Sequence, residues 1–313
     1  MSGELRPVPT GQRVALQVPA SSANLGPGFD SVGLALDLWD DVEVEVTGDR
    51  LVIECEGEGA DQVPRDASHL VHRSMSVMWR SLGFATPRGL KLLSRNRIPH
   101  SRGLGSSAAA IVVGVAAAAA TVGVDVSSDE GRRQIGDVAG DLEGHPDNSS
   151  ASVYGGLTVS WATDSDSGWS TARPALHPDV APVAFVPAST LATDKARAAL
   201  PTQVGHGDAA RNSGRAALLV HALTQDPAFL LPATRDWLHQ QQRRSAYVET
   251  MRLVDRLRAA GHAATVSGAG PTVLVLATQQ TRAQVLAAVG EGAGWRALAG
   301  PVPDTGVRVV SRP

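Results

Sequence analysis

Cysteine is almost missing: Cys55 stands alone in 313 residues. That excludes an intramolecular disulfide and any zinc or iron–sulfur site built from several thiolates, and it suits a reducing, cytoplasmic setting. An excess of one charge is missing too. The 28 basic and 31 acidic side chains leave a net charge of −3, so no basic field exists to hold nucleic acid or an anionic membrane, and small molecules are the expected partners. Lysine is confined to Lys91 and Lys195. Neither lies in a glycine-rich stretch, which excludes a Walker A loop, whose GxxxxGK[ST] pattern sets a lysine on the phosphates. The opening MSGELRPVPTGQRV has no apolar run of the signal-peptide kind. The one long apolar stretch, 108–124, is mostly alanine and glycine, falls short of the ~20 residues that span a bilayer, and opens from a polar loop. It reads as a buried helix.

The chain exceeds the usual single-domain length, so two domains are expected, divided in the Ser, Asp and Pro-rich segment 162–178 into 1–168 and 169–313. Strands are predicted over 13–18, 42–46, 51–56, 89–94, 183–186 and 307–310 from alternation and β-branched content. Helices are predicted from Asp66 or Ser68 up to Gly83, from near Ser127 with Glu130 completing a capping box, over 206–223, and over 281–289. The methionines Met75 and Met78 lie at helical spacing and read as core. In residues 19–36, PASSANLGPGFDSVGLAL, the two serines, Asn24, Gly26, Pro27 and Gly28 read as a constrained loop, and 32–36 as a return to apolar structure.

Four stretches carry chemistry. In 98–110, IPHSRGLGSSAAA, Gly103 and Gly105 allow positive φ and close backbone approach, while Ser106 or Ser107 can cap the helix that follows. First-turn N–H groups and the helix dipole then face an anion, and the hydroxyls are hard oxygen donors suited to Mg²⁺ on a nucleotide. In the second stretch, Asn24 can both donate to and accept from a hydroxyl, and Asp30 can hold a cation; the same residues also suit a β-turn with a solvated acid. In the third, Glu143, His145, Asp147 and Asn148 crowd one helix end beside Gly144 and Pro146. HExxH is absent, so zinc is disfavoured, and Glu143 is better read as an oxygen ligand for a nucleotide's Mg²⁺. In the fourth, 265–276, Gly268 and Gly270 separate two apolar strands where a ligand or a hairpin backbone can approach closely. Arg197 follows Thr193 and Asp194 by about one helical turn. Asp236, His239 and Arg243 span two turns of an expected helix and read as an exposed, solvated face.

The strings ANLGPGFD, GLGSSAA and SGAGP, in that order and at these separations, resemble the three motifs of the GHMP kinases, a resemblance that runs over about 14–276. EGHPDN followed by GG, TDKARAALP and DWLHQQQR are similar to the homoserine kinase branch in particular. The resemblance implies an α+β fold of two parts, an N-terminal domain like the second domain of ribosomal protein S5 and a C-terminal ferredoxin-like α/β sandwich, with the site in the cleft between them. It places ATP's phosphates on Pro99, His100, Ser101, Arg102, Gly103, Leu104, Gly105, Ser106, Ser107, Ala108 and Ala109. It gives Mg²⁺ to Ser107 and Glu143, with Asp141 or Asp137 as substitutes for the glutamate, since only Gly144 separates it from His145. L-homoserine would be held by Asn24 at its hydroxyl, by Asp30 at its ammonium and by Arg197 and Arg243 at its carboxylate, with His145, Asp147, Thr193 and Gly268 lining the pocket. Asn24 orients the hydroxyl in this reading, and Asp147 is the alternative as a base. The implied product is O-phospho-L-homoserine, on the route to threonine, made by a cytoplasmic homodimer. Two other readings are a related kinase for another alcohol, such as mevalonate, and a GHMP-fold ligand sensor without catalysis. His69 stands where relatives often carry asparagine near the adenine.

Overall fold

The computed structural model describes residues 4–163, 168–191, 193–290 and 294–310, the side chains of 193–195 excepted. After the short β1 (Arg6–Pro7), two long strands carry the N-terminal half, β2 (Arg13–Asn24) and β3 (Gly28–Val46), antiparallel along their length. Their alternating valines and leucines face inward and their acids outward, as a sheet with one covered face requires. The strands continue through 19–24 and 28–31, where the sequence reads a loop, and turn only at residues 25–27. Ala20, Ser21, Ser22 and Ala23 look turn-like but are fully buried, because small side chains let other segments close onto the strand. A register shift between Pro19 and Ala20 absorbs the proline that cannot donate to the ladder.

β4 (Leu51–Gly57), α1 (Leu70–Ser81), β5 (Phe84–Ala85) and β6 (Leu90–Asn96) follow, with β4 parallel to β6, β6 antiparallel to β3, and β5 beside β1. α1 starts later than Asp66 or Ser68 because Asp66 Oδ1 instead accepts the Ser68 N–H and hydroxyl at 2.8 and 2.6 Å, closing a separate turn. α2 (Ser106–Thr121) is buried nearly all round between α1, α3 (Asp129–Glu143), α4 (Pro146–Tyr154) and β2, which is why its sequence lacks a polar face. Trp79 of α1 is fully buried against it and donates to Thr121 Oγ1 at 3.0 Å; truncating such a residue costs ~3–5 kcal/mol. Among the described residues no helix is long and apolar enough to cross a membrane. α3 is capped by Ser128 onto Gly131 N, so the expected box with Glu130 does not form; Glu130 pairs with Arg133 instead.

β7 (Leu157–Ala162) pairs with β3, and β8 (Trp169–Ala172) pairs with β7. The N-terminal sheet thus continues past 168, where the sequence reading places the domain division. The second half contains β9 (Val183–Pro187), α5 (Thr193–Ala198), α6 (His206–Thr224), α7 (Leu230–Ala233), α8 (Val248–Ala259), β10 (Ala264–Val266), β11 (Val273–Val275), α9 (Arg282–Val289) and β12 (Trp295–Leu298). Its strands are antiparallel in the order β10-β11-β9-β12, the ferredoxin-like arrangement. The last strand, β13 (Arg308–Val309), pairs with β2. It closes the N-terminal sheet although it lies at the far end of the chain.

Candidate active site

Three turns from distant parts of the chain are laced together. Ser21 N donates to Leu104 O at 3.1 Å, Gly268 N to Ala23 O at 3.1 Å, and Thr272 N to Arg102 O at 3.2 Å. Ser267 Oγ lies 2.5 Å from Gly103 O and 2.8 Å from Ser22 Oγ; with one proton to give, it donates to the carbonyl and accepts from Ser22. The fit leaves no room for side chains. A Cβ on Gly103 would lie 2.3 Å from Ser267 O, and one on Gly105 would lie 2.1 Å from Ser21 Oγ. Gly105, left-handed at φ 68, is itself the N-cap of α2. Neither Ser106 nor Ser107 caps the helix, contrary to expectation. Both sit in its first turn and line the cleft with it, beside N–H groups that have no acceptor within a helix. Such a helix start suits an anion.

Across the cleft, α3 ends at Glu143, Gly144 turns at φ 82, and His145 and Pro146 start α4. The HPDN string thus opens a helix that sequence reasoning did not anticipate. His145 Nδ1 lies 3.0 Å from Asp147 Oδ1, which also accepts Asn148 N at 2.7 Å. Burial alone would lower the His145 imidazole, but the hydrogen bond to Asp147 and the nearby acids outweigh it and hold it above its ordinary value. Glu143 behaves differently. Its Oε2 is buried without a hydrogen-bond partner, and burial, with Asp147 adding to it, pushes the carboxyl up to about 7 against the pull of His145 and Arg197. Asp137 and Asp141 are engaged elsewhere, accepting from the Trp169 backbone at 3.2 Å and its indole at 3.0 Å, and neither lines the cleft.

The third wall is charged. Asn24 and Asp30 both take left-handed φ, 69 and 54. Asn24 Nδ2 donates to Gly268 O at 3.1 Å and its Oδ1 accepts Asp30 N at 3.0 Å, so the amide clips the first motif to the third and keeps one N–H and one lone pair to spare. Asp30 and Arg197, which the resemblance assigns to opposite ends of a substrate, pair with each other at 2.8 and 3.3 Å. The guanidinium carbons of Arg197 and Arg243 lie 5.9 and 5.6 Å from the ring of Phe29, within cation–π reach. Phe29 in turn stacks on His239 at 5.1 Å.

Asp236, His239 and Arg243 are not the exposed helix face that their spacing suggests. Residues 236–243 form turns, and the side chains of Asp236 and His239 are fully buried. Asp236 can be buried because its carboxylate accepts the N–H groups of Leu238, His239 and Gln240. Burial also keeps His239 neutral, overriding the Asp236 charge. Its Nε2 donates to Gly26 O at 2.8 Å, which leaves Nδ1 to accept from Arg243 at 3.4 Å. Arg243 is further fixed by donating Nε to Ala196 O at 2.9 Å. Phe29, which lines the cleft, and His239, packed behind it, are thus residues whose place sequence reasoning missed; the signal for Phe29 was its position inside the first motif.

Comparison with known proteins shows the family and the fold. Residues 69–156 match the GHMP kinases N terminal domain and residues 216–293 match GHMP kinases C terminal. The chain is 50% identical over 280 residues to the homoserine kinase of Streptomyces avermitilis, covering 89% of this chain and 90% of that one. It is 46% identical over 311 residues to that of Rhodococcus opacus, covering 96% and 98%. The crystal structure of homoserine kinase from Cytophaga hutchinsonii shares the fold with a TM-score of 0.83 at 23% identity, covering 96% of this chain and 98% of that one. The chain belongs to the homoserine kinase family of the GHMP kinases.

Of the residues that this family resemblance points to, Asn24, Asp30, His100, Ser101, Gly103, Leu104, Gly105, Ser106, Ser107, Glu143, His145, Asp147, Arg197, Arg243 and Gly268 line a single cleft of about 350 Å³. Pro99 and Arg102 line a separate groove. Arg102 donates to the Pro187 and Ala188 carbonyls at 3.0 Å each and ties the loop to β9. Ala108 and Ala109 are fully buried in α2. Thr193 opens α5, but its side chain lies outside the described residues.

Proposed function

We propose that this chain transfers the terminal phosphoryl group of ATP to the hydroxyl of L-homoserine, giving ADP and O-phospho-L-homoserine. One observation carries the reading: a helix N-terminus with two free serine hydroxyls faces, within one cleft, an acid and two guanidinium groups. The first arrangement suits phosphate. The second suits a small zwitterion, whose ammonium would take Asp30 and whose carboxylate would take Arg197 and Arg243, entering between groups that otherwise pair with each other.

Phosphoryl transfer asks mainly for in-line positioning and for neutralisation of spreading charge. The Gly103 and Gly105 backbone with the first turn of α2 meets the phosphate oxygens. The spare N–H and lone pair of Asn24 orient the substrate hydroxyl. His145, held by Asp147, adds a donor beside them and keeps the acid from facing the phosphates unpaired. A divalent cation fits these residues, because Glu143 presents a buried, unpartnered oxygen in the cleft that the Ser106 and Ser107 residues also line, an all-oxygen set of the kind Mg²⁺ takes. Bound there by Glu143 and Ser107, Mg²⁺ would offset negative charge on the phosphates.

A mevalonate-type substrate has no ammonium for Asp30. A coupled ADP-release assay with MgATP against L-homoserine, D-homoserine, L-serine, L-threonine and mevalonate separates the readings. Turnover selective for L-homoserine, with KM raised about tenfold or more in Asp30→Asn by loss of a charge-assisted bond, is the expected result. Turnover on mevalonate, unaffected by Asp30→Asn, would assign the cleft to another alcohol. No turnover with any alcohol would favour the sensor.

A further inference from the structure

Arg243 is a buried cation that touches no carboxylate among the described residues. It is 2% exposed, and its hydrogen bonds there run to neutral partners, from Nε to Ala196 O at 2.9 Å and from Nη1 to His239 Nδ1 at 3.4 Å. Its Nη2 makes no hydrogen bond among the described residues, and the side chain lines the cleft. Burial pushes the guanidinium below its ordinary value, and the Arg197 charge adds to this against the pull of nearby acids. A charge in such a place needs some other support.

The ring of Phe29 gives it. The guanidinium carbons of Arg243 and Arg197 both stand over that ring, at 5.6 and 5.9 Å, and the His239 ring stacks on it at 5.1 Å with an interplanar angle of 26°. A ring face attracts a cation and, unlike a carboxylate, leaves its N–H groups uncommitted. His239 suits the place because burial keeps it neutral; a third cation there would repel the other two. The ring is itself held still. Phe29 follows a turn whose Gly26 O accepts from His239 Nε2 at 2.8 Å and whose Pro27 O accepts from Asn212 Nδ2 at 2.9 Å. The next residue, Asp30, has its N–H on Asn24 Oδ1 at 3.0 Å. We propose that Phe29 is the positioning residue of a carboxylate clamp: its ring, backed by that of His239, holds Arg197 and Arg243 together as uncommitted donors and so sets the preference for a substrate that carries a carboxylate. An acid in place of the ring would neutralise the clamp. An aliphatic side chain would leave two long cations for the substrate itself to order, at a loss of affinity.

This inference rests on the assignment of the two arginines to the carboxylate of an amino-acid substrate. Phe29→Leu removes the ring and keeps apolar bulk, and Phe29→Tyr keeps the ring. Steady-state kinetics with MgATP, against L-homoserine and against its uncharged amide, give the readout, with thermal melts beside them. Phe29→Leu raises KM for L-homoserine about tenfold, as ordering two rotamer-rich side chains on binding predicts. Its kcat, its KM for MgATP and its KM for the amide each change less than about twofold, because a contact made equally before and during reaction moves KM alone. Phe29→Tyr stays within about twofold of wild type in KM for L-homoserine, since the π face remains. If Phe29→Leu melts well below wild type, Phe29→Met takes its place, refilling the space flexibly without a π face. An unchanged KM for L-homoserine in the ringless variant overturns the inference, as does an equal rise for the amide or a Phe29→Tyr enzyme as impaired as Phe29→Leu. A wild type with no preference for the acid over the amide overturns the carboxylate assignment instead, and one that phosphorylates neither overturns the reading of the cleft; both appear before any substitution is made.

Discussion

Glu143→Gln removes a charge from a place that penalises it and keeps the shape. The carboxyl is raised from 4.5 to about 7, first by burial and then by Asp147, which corresponds to ~3 kcal/mol between its two protonation states. Because the folded-state value lies above the unfolded one, the folded protein binds the extra proton between pH 4.5 and 7. Stability from this group therefore falls as pH rises through that window, by up to ~1.4 kcal/mol per pH unit, and the whole cost is present above about pH 7. Glutamine has no such slope. The variant should match wild type near pH 4.5 and exceed it by up to ~3 kcal/mol at pH 8, or up to ~6 °C in melting temperature at ~2 °C per kcal/mol. Thermal melts across this range, without nucleotide, measure the difference. MgATP should then invert the order, since only the carboxylate of wild type gains a cation, and ligand binding stabilises in proportion to affinity. Homoserine phosphorylation by the variant should drop sharply. A melting difference that does not vary with pH would refute the burial argument, and equal stabilisation of both proteins by MgATP would refute the assignment of Glu143 to the metal.

The two arginines of the charged wall should separate in their effects. Arg197→Ala breaks an ion pair whose side chains are each over a third exposed or close to it; such pairs add at most ~1 kcal/mol, so melting should change little while KM for L-homoserine rises. Arg243→Leu instead leaves Ala196 O and His239 Nδ1 without a donor inside the fold, and chemical denaturation should show a loss of ~2–4 kcal/mol; an unaltered midpoint would disprove the buried network. Asp40→Asn should stabilise the protein above pH 6 and leave it unchanged near pH 4, because burial raises the native carboxyl from 3.8 to about 6 and the ionised form alone bears the cost. Gly33→Ala would place a Cβ 2.0 Å from the Asp147 backbone oxygen, where α4 crosses β3. A loss of at least ~3 kcal/mol from overpacking against main chain is expected, with collapse of activity, and a melting temperature near that of wild type would contradict the packing.

By itself, the sequence determined whatever depends on local composition and spacing. The lack of thiols, of a charge excess and of a Walker lysine ruled out whole classes of chemistry. Gly103 and Gly105 before an alanine-rich helix marked a turn that needs glycine, since only glycine accepts both the left-handed backbone and the contact with Ser21 and Ser267. The three motifs located the family, and most of the residues they pointed to face one cleft. Elements with plain alternation, such as β4 and β6, were legible within a residue or two. Only the tertiary structure decided the rest, because it depends on contacts between distant segments. Residues 19–24 look like a loop until burial against 102–104 and 267–268 makes small polar side chains the right filling for a strand. Asp236, His239 and Arg243 look solvated until Gly26, Ala196 and three backbone N–H groups satisfy them inside the protein. Asp30 and Arg197 appear as separate ligands in the sequence and as a pair in the fold. Spacing along a chain shows which groups are available; burial and partners set their charge and their role, and both are properties of the packed molecule.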